Sequence, residues 1–205
     1  MQWENDLVRD IRTHSNLDDE DYPVAALGLK YSGIFGIEFT DANHAALQEA
    51  ISYCNPSAKT FLEIGVCRNG ERSSTHTILN NLPHDGIYLG VDIEDKSFLN
   101  NPSKGIHTIK ESSSDYEKVV EKLNSLGVST LDFIFIDGWH SINQVLDDWE
   151  FTKLLSDGGV VAFHDTTAHP GPHFFIKNLN QEKWTVRHNL CPQDHGFGYC
   201  YRKRP

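Results

Sequence analysis

The stretch that most constrains this chain spans residues 61–74, FLEIGVCRNGERSS. Phe61, Leu62, Ile64 and Val66 form a near-continuous apolar run, the pattern of a parallel strand covered on both faces. Gly65 and Gly70 follow, which let a backbone turn tightly and approach a ligand. Ser73 or Ser74 then caps a helix whose first N–H groups point back at the turn. Glu63 sits inside the apolar run, where a carboxylate is costly unless it has a partner or a task. It either bonds a neighbouring loop or holds the ammonium of a ligand with an amino-acid end, whose carboxylate the backbone N–H groups would take. Cys67 breaks the G-x-G-x-x-G spacing of a dinucleotide site, which counts against a nicotinamide-dependent oxidoreductase.

Downstream, strand and helix patterns alternate. Residues 41–54 carry Leu47, Ala50, Ile51 and Cys54 on one helical face. The helix begun near Ser74 runs to Leu82 and stops at Pro83. Further strands are expected at residues 88–93, 107–110, 133–136 and 160–163, the last after a turn at Gly158-Gly159. Helices follow from Tyr116, from Ile142 and from the first turn at Pro172. The chain closes with strands at 184–189 and 197–202, joined by a link over 191–196. This order predicts an α/β, doubly wound, mostly parallel seven-stranded sheet with a C-terminal antiparallel hairpin. Residues 1–40 show no clean period and are expected to form an arm or lid, with Tyr31, Phe35 and Phe39 as candidate pocket walls. The main domain is expected over 41–205.

In open parallel sheets, ligands sit beyond the carboxyl ends of the strands. Acids and histidines gather there. Asp92 and Ile93 end the second strand, where the acid suits a pair of ribose hydroxyls. Asp137-Gly138-Trp139-His140 ends the fourth, and His164-Asp165-Thr166 ends the fifth. If those two strands are neighbours, Asp137 and Asp165 converge. Their repulsion calls for a cation or a shared proton, and oxygen ligands suit Mg²⁺. His164, His169 and His173 match no zinc spacing and read as a polar pocket rim, with His169 on the substrate side.

Composition narrows the partners. A net charge of −11 argues against nucleic acid and against an anionic membrane surface. No apolar run approaches the roughly 20 residues of a membrane span. The first residues lack a signal-peptide layout, and Cys54, Cys67, Cys191 and Cys200 form no metal or disulfide pattern. A reducing cytoplasm is the expected compartment.

Glu63-x-Gly65, Asp92, residues 135–141 (FIDGWHS) and Gly158-Gly159 leading to His164-Asp165 together resemble the class I S-adenosylmethionine (SAM)-dependent methyltransferases. Within them the likeness is to metal-dependent O-methyltransferases of the catechol type, and to the branch holding macrolide-sugar O-methyltransferases and cephalosporin-hydroxylase-like proteins. The resemblance implies methyl transfer to a hydroxyl of a small acceptor, a sugar or polyketide-type metabolite. It implies SAM held by Glu63, Gly65, Gly70, Asp92, Ile93, Asp137 and, near adenine, Ser113. It implies Mg²⁺ on Asp137, Asp165 and Thr166, with Asp137 and His140 catalytic, His140 as general base, and Trp139 and His169 beside the substrate. Two departures stand out. The turn from Gly65 to Gly70 is one residue longer than usual, and Thr166 replaces an asparagine ligand. A binding module of this fold without methyl transfer is the alternative. Relatives often pair, which leaves a homodimer open.

Overall fold

The computed structural model describes residues 39–66, 73–192 and 194–203. Gly70, Tyr31 and Phe35 lie outside them. Five α-helices are described: α1 (Asp41–Ser52), α2 (Ser74–Asn81), α3 (Tyr116–Ser125), α4 (Ile142–Trp149) and α5 (Pro170–Lys177). The strands are β1 (Thr60–Ile64), β2 (Ile87–Asp92), β3 (Ile106–Lys110), β4 (Leu131–Ile136), β5 (Leu155–His164), β6 (Trp184–Leu190) and β7 (Phe197–Arg202). They form one seven-stranded sheet in the order β3-β2-β1-β4-β5-β7-β6. The first five strands run parallel, and β7 lies antiparallel between β5 and β6. The expected doubly wound sheet and terminal hairpin are both present.

The sheet buries both faces, which is why its strands read as apolar runs rather than alternating ones. On one face Leu62, Ile64, Ile134, Ile136 and Phe163 pack with Val119 and Leu123 of α3, Val145 and Trp149 of α4, and Phe175 and Ile176 of α5. On the other, Phe61, Phe133, Phe135 and Ala162 pack with Leu47 and Ala50 of α1 and Ile78 of α2. Helices therefore cover both sides, and the strand order reverses at β1, between β2 and β4. That reversal leaves a crevice at the carboxyl ends of β1 and β4.

Several local readings shift. Gly158 and Gly159 make no free turn; they lie inside a longer β5, where Gly158 takes φ +83° and the pairing with β4 changes register. α5 starts two residues earlier, at Pro170, whose missing N–H costs nothing there, and Pro172 stands in the same first turn as expected. Ser73 is the N-cap of α2 without a side-chain bond to it. The Ser74 hydroxyl is drawn instead to Glu63.

Candidate active site

The floor of the crevice is backbone. Asp137 N–H donates to Ile64 C=O at 2.9 Å, and Gly65 N–H donates to Val91 C=O at 3.0 Å. The tips of β1, β2 and β4 are thus tied side by side. Gly65 has φ +83°, and a Cβ built there would fall 2.0 Å from the Asp137 carbonyl oxygen. The glycine read from sequence as making room for a ligand is required first for the close approach of β1 to β4.

Above this floor opens a cavity of about 300 Å³. Gly65, Asp92, Ile93, Ser113, Asp137, Trp139, His140, Asp165 and His169 all line it. Strand order brings together side chains spread over a hundred residues of sequence. Asp92 also braces the β1 loop: its Oδ2 accepts from Val66 N–H and its Oδ1 from Glu94 N–H, both at 2.8 Å. Ser113 Oγ accepts from Gln144 Nε2 at 3.0 Å, and the same amide nitrogen donates to Asp148 Oδ1 at 2.9 Å. Trp139 is 60% exposed and stands at the mouth.

Glu63 does not line the cavity. Its side chain is fully buried, with Ser74 Oγ donating to Oε1 at 2.7 Å and Tyr88 Oη donating to Oε2 at 2.5 Å. Burial pushes its carboxyl up to about 7, against the lowering effect of these hydroxyls. Both oxygens are spent on joining β1 to α2 and β2, so the ammonium-holding reading from sequence gives way to a structural one. Thr166 is likewise displaced. It is buried, its Oγ1 has no partner among the described residues, and it borders a separate pocket with His173.

The acidic corner is built from Asp137, His164 and Asp165, each offering one ligand atom, all within 4.8 Å of one another. His164 Nδ1 lies 3.2 Å from Asp137 Oδ1 and 3.1 Å from Asp165 Oδ2. His140 Nε2 lies 2.8 Å from Asp165 Oδ2. Burial alone would raise the Asp165 carboxyl, but the imidazoles of His164 and His140 outweigh it and hold it well below the usual carboxylate range. Burial would lower His164, but Asp165 and Asp137 reverse that and push it well up. Asp165 adopts φ +59°, a left-handed conformation uncommon outside glycine. Ala168 and His169 N–H groups donate to its carbonyl at 3.2 and 3.1 Å and hold that turn.

His140 is set by the start of α5. Gly171 N–H donates to His140 C=O at 3.0 Å, and a Cβ on Gly171 would fall 2.3 Å from that oxygen. The His169 ring, one residue before α5, stacks on the His140 ring at 4.1 Å. Ser141 Oγ accepts from Gln144 N–H and caps α4 just behind. The base candidate is therefore clamped between two helix starts.

Sequence reasoning missed other wall residues. His195, in the β6–β7 link, lines the cavity 6.0 Å from the His164 ring, and its carbonyl accepts from Thr167 and Ala168 N–H. That link has no hydrophobic period, so nothing in the chain order marks it. Gln144 hides within the polar face of α4. Phe39, a candidate wall, does border the cavity and packs against His164 at 5.1 Å.

Residues 62–166 match a family model described as "Methyltransferase domain". A search of curated proteins found no match. Among solved structures, the MycE methyltransferase of the mycinamycin biosynthetic pathway, in complex with Mg and SAH, aligns with TM-score 0.55 and 18% identity. The alignment covers 78% of this chain and 49% of that one, so the chain spans about half the length of MycE. A protein from Clostridium thermocellum, provisionally named an rRNA methylase, aligns with TM-score 0.55 and 14% identity over 80% and 96% of the two chains. A provisionally named methyltransferase from Streptococcus mutans, in complex with SAH, aligns with TM-score 0.50 and 15% identity over 78% and 94%. At these identities the likeness is one of fold.

Proposed function

Because the chain belongs to the methyltransferase-domain family, we propose that it transfers a methyl group from SAM to a hydroxyl of a small acceptor, a sugar or polyketide-type metabolite, beside a bound divalent cation. The observation that carries this reading is the convergence of the β1, β2, β4 and β5 tips on one crevice, with His140 held against Asp165 at its edge.

The residues present fit both bound groups. Gly65, Asp92, Ile93 and Ser113 line one side of the cavity and would hold the donor, Asp92 facing the ribose and Ser113 the adenine. Bound SAM supplies an electrophilic methyl on a sulfonium, so the protein need only align it with the acceptor. Asp137, His164 and Asp165 form a donor set for a dication, whose positive charge would lower the pKa of a neighbouring hydroxyl. His140 serves as the general base for the acceptor proton, its ring oriented through Nε2, which lies 2.8 Å from Asp165 Oδ2. Asp165 and the stacked His169 fix the plane of that ring before the acceptor arrives. Trp139 at the mouth offers an aromatic face to the acceptor and helps keep water from the transfer.

The test has two steps. Calorimetry should detect S-adenosylhomocysteine binding with one site per chain. Labelled methyl from SAM should then pass to hydroxylated sugars or polyketide glycosides, and H140Q should abolish transfer while retaining that binding. Binding without transfer to any such acceptor, across the divalent cations, would overturn the reading.

A further inference from the structure

The acidic corner differs from an all-oxygen Mg²⁺ site in one respect: its third donor is an imidazole. We propose that His164 is a ligand there, and that this mixed nitrogen–oxygen centre takes a borderline transition-metal dication, of the Co²⁺, Ni²⁺ or Zn²⁺ class, more tightly than Mg²⁺. The inference deepens the reading of a divalent cation in the active site and rests on it.

Two of the three ligand-atom separations are those of one coordination sphere. Bonds of about 2.0–2.2 Å to N and O place neighbouring ligand atoms roughly 3 Å apart. His164 Nδ1 stands 3.1 and 3.2 Å from one oxygen of Asp165 and one of Asp137. The ring is 3% exposed and lines the cavity, and its Nε2 is buried with no partner among the described residues. With Nδ1 turned toward the two carboxylate oxygens as the ligand atom, Nε2 is the nitrogen that keeps the ring N–H. The oxygen ligand expected two residues on does not compete, because Thr166 borders a different pocket. Mg²⁺ demands oxygen and keeps its waters, whereas imidazole beside carboxylates suits the later first-row dications. Phe39 and His195 close over the ring. They shelter a nitrogen ligand whose exchange with water would otherwise weaken the centre.

The 205-residue chain, stripped of metal, should be titrated by calorimetry with Co²⁺ and with Mg²⁺, alongside H164D. Any nitrogen–oxygen site favours Co²⁺ over Mg²⁺, so the decisive quantity is the ratio of the two affinities. H164D replaces the imidazole with oxygen and should lower that ratio at least tenfold, with Mg²⁺ binding kept or improved. Proton NMR of the Co²⁺-loaded wild-type chain should show an exchangeable, hyperfine-shifted imidazole N–H that H164D lacks. An unchanged ratio, wild-type Mg²⁺ binding as tight as Co²⁺, or no shifted imidazole signal overturns the proposal. If H164D fails to fold, the wild-type NMR spectrum decides alone. S-adenosylhomocysteine binding is measured separately without metal. Its absence would count against methyl transfer while leaving the metal result standing.

Discussion

Replacing Gly65 with alanine tests the geometry on which the crevice depends. Gly65 has φ +83°, and left-handed backbone costs a residue with a Cβ about 1–2 kcal/mol. The new methyl would also meet the Asp137 carbonyl oxygen at 2.0 Å and its carbon at 2.6 Å. Relief requires that backbone to shift by more than ~1 Å, an overpacking term of about 1–3 kcal/mol. No side chain can yield, because both contacts are main chain. The shift falls on β4 where Asp137 N–H pairs with Ile64 C=O, so it displaces the cavity floor and the Asp137 carboxylate together. G65A should lose about 2–5 kcal/mol of stability in urea unfolding. In the folded fraction, S-adenosylhomocysteine binding by calorimetry should weaken at least ~100-fold, which is about 2.7 kcal/mol. G138A is the internal control. Its Cβ would meet the Ile64 side chain at 3.1 Å and Asp148 Oδ2 at an ordinary van der Waals distance of 3.8 Å, so its loss should stay within about 1 kcal/mol. If G65A unfolds and binds within the error of G138A, the tight approach of β1 and β4 is not what shapes this site.

Other outcomes follow from the buried acids and the crevice walls. Burial raises Asp148 to about 7, against Ser113 and Gln144 hydrogen bonds that lower it. The folded state therefore holds this proton more tightly than the unfolded chain does. Stability falls as pH rises from about 4 through 7, by a few kcal/mol at about 1.36 per pKa unit. D148N should be more stable than wild type at pH 8 and equal to it at pH 4, checked by urea denaturation at both. Y88F leaves Glu63 Oε2 without its hydroxyl donor and should cost about 1–3 kcal/mol, read as a lower Tm near neutral pH. W139A should raise the acceptor KM several-fold with S-adenosylhomocysteine affinity unchanged, since its ring is at the mouth. D92A removes the acceptor of the Val66 N–H and should weaken S-adenosylhomocysteine binding about tenfold or more while leaving Co²⁺ binding intact.

The sequence alone determined the order of strands and helices, because apolar runs and helical stripes are local patterns that each segment must satisfy to be buried. It also marked Asp92, Asp137, His140 and Asp165, because polar residues at the ends of buried strands cannot be there for packing. Which of these meet was decided by tertiary structure. Only the β2-β1-β4-β5 order of the sheet sets the four strand tips around one cavity. The same is true of the roles that changed. Glu63 looked like a ligand-holding acid until Tyr88, one strand over, was found to occupy it. Thr166 and His164 exchanged places as ligand candidates, because the chain turns at Asp165 and sends the threonine to another pocket. His195 and Gly171 left no sequence trace, since a loop crossing a crevice and a helix start pressed on a carbonyl are contacts between distant segments. Periodicity records what a residue does for its own element; it carries no record of which element lies opposite.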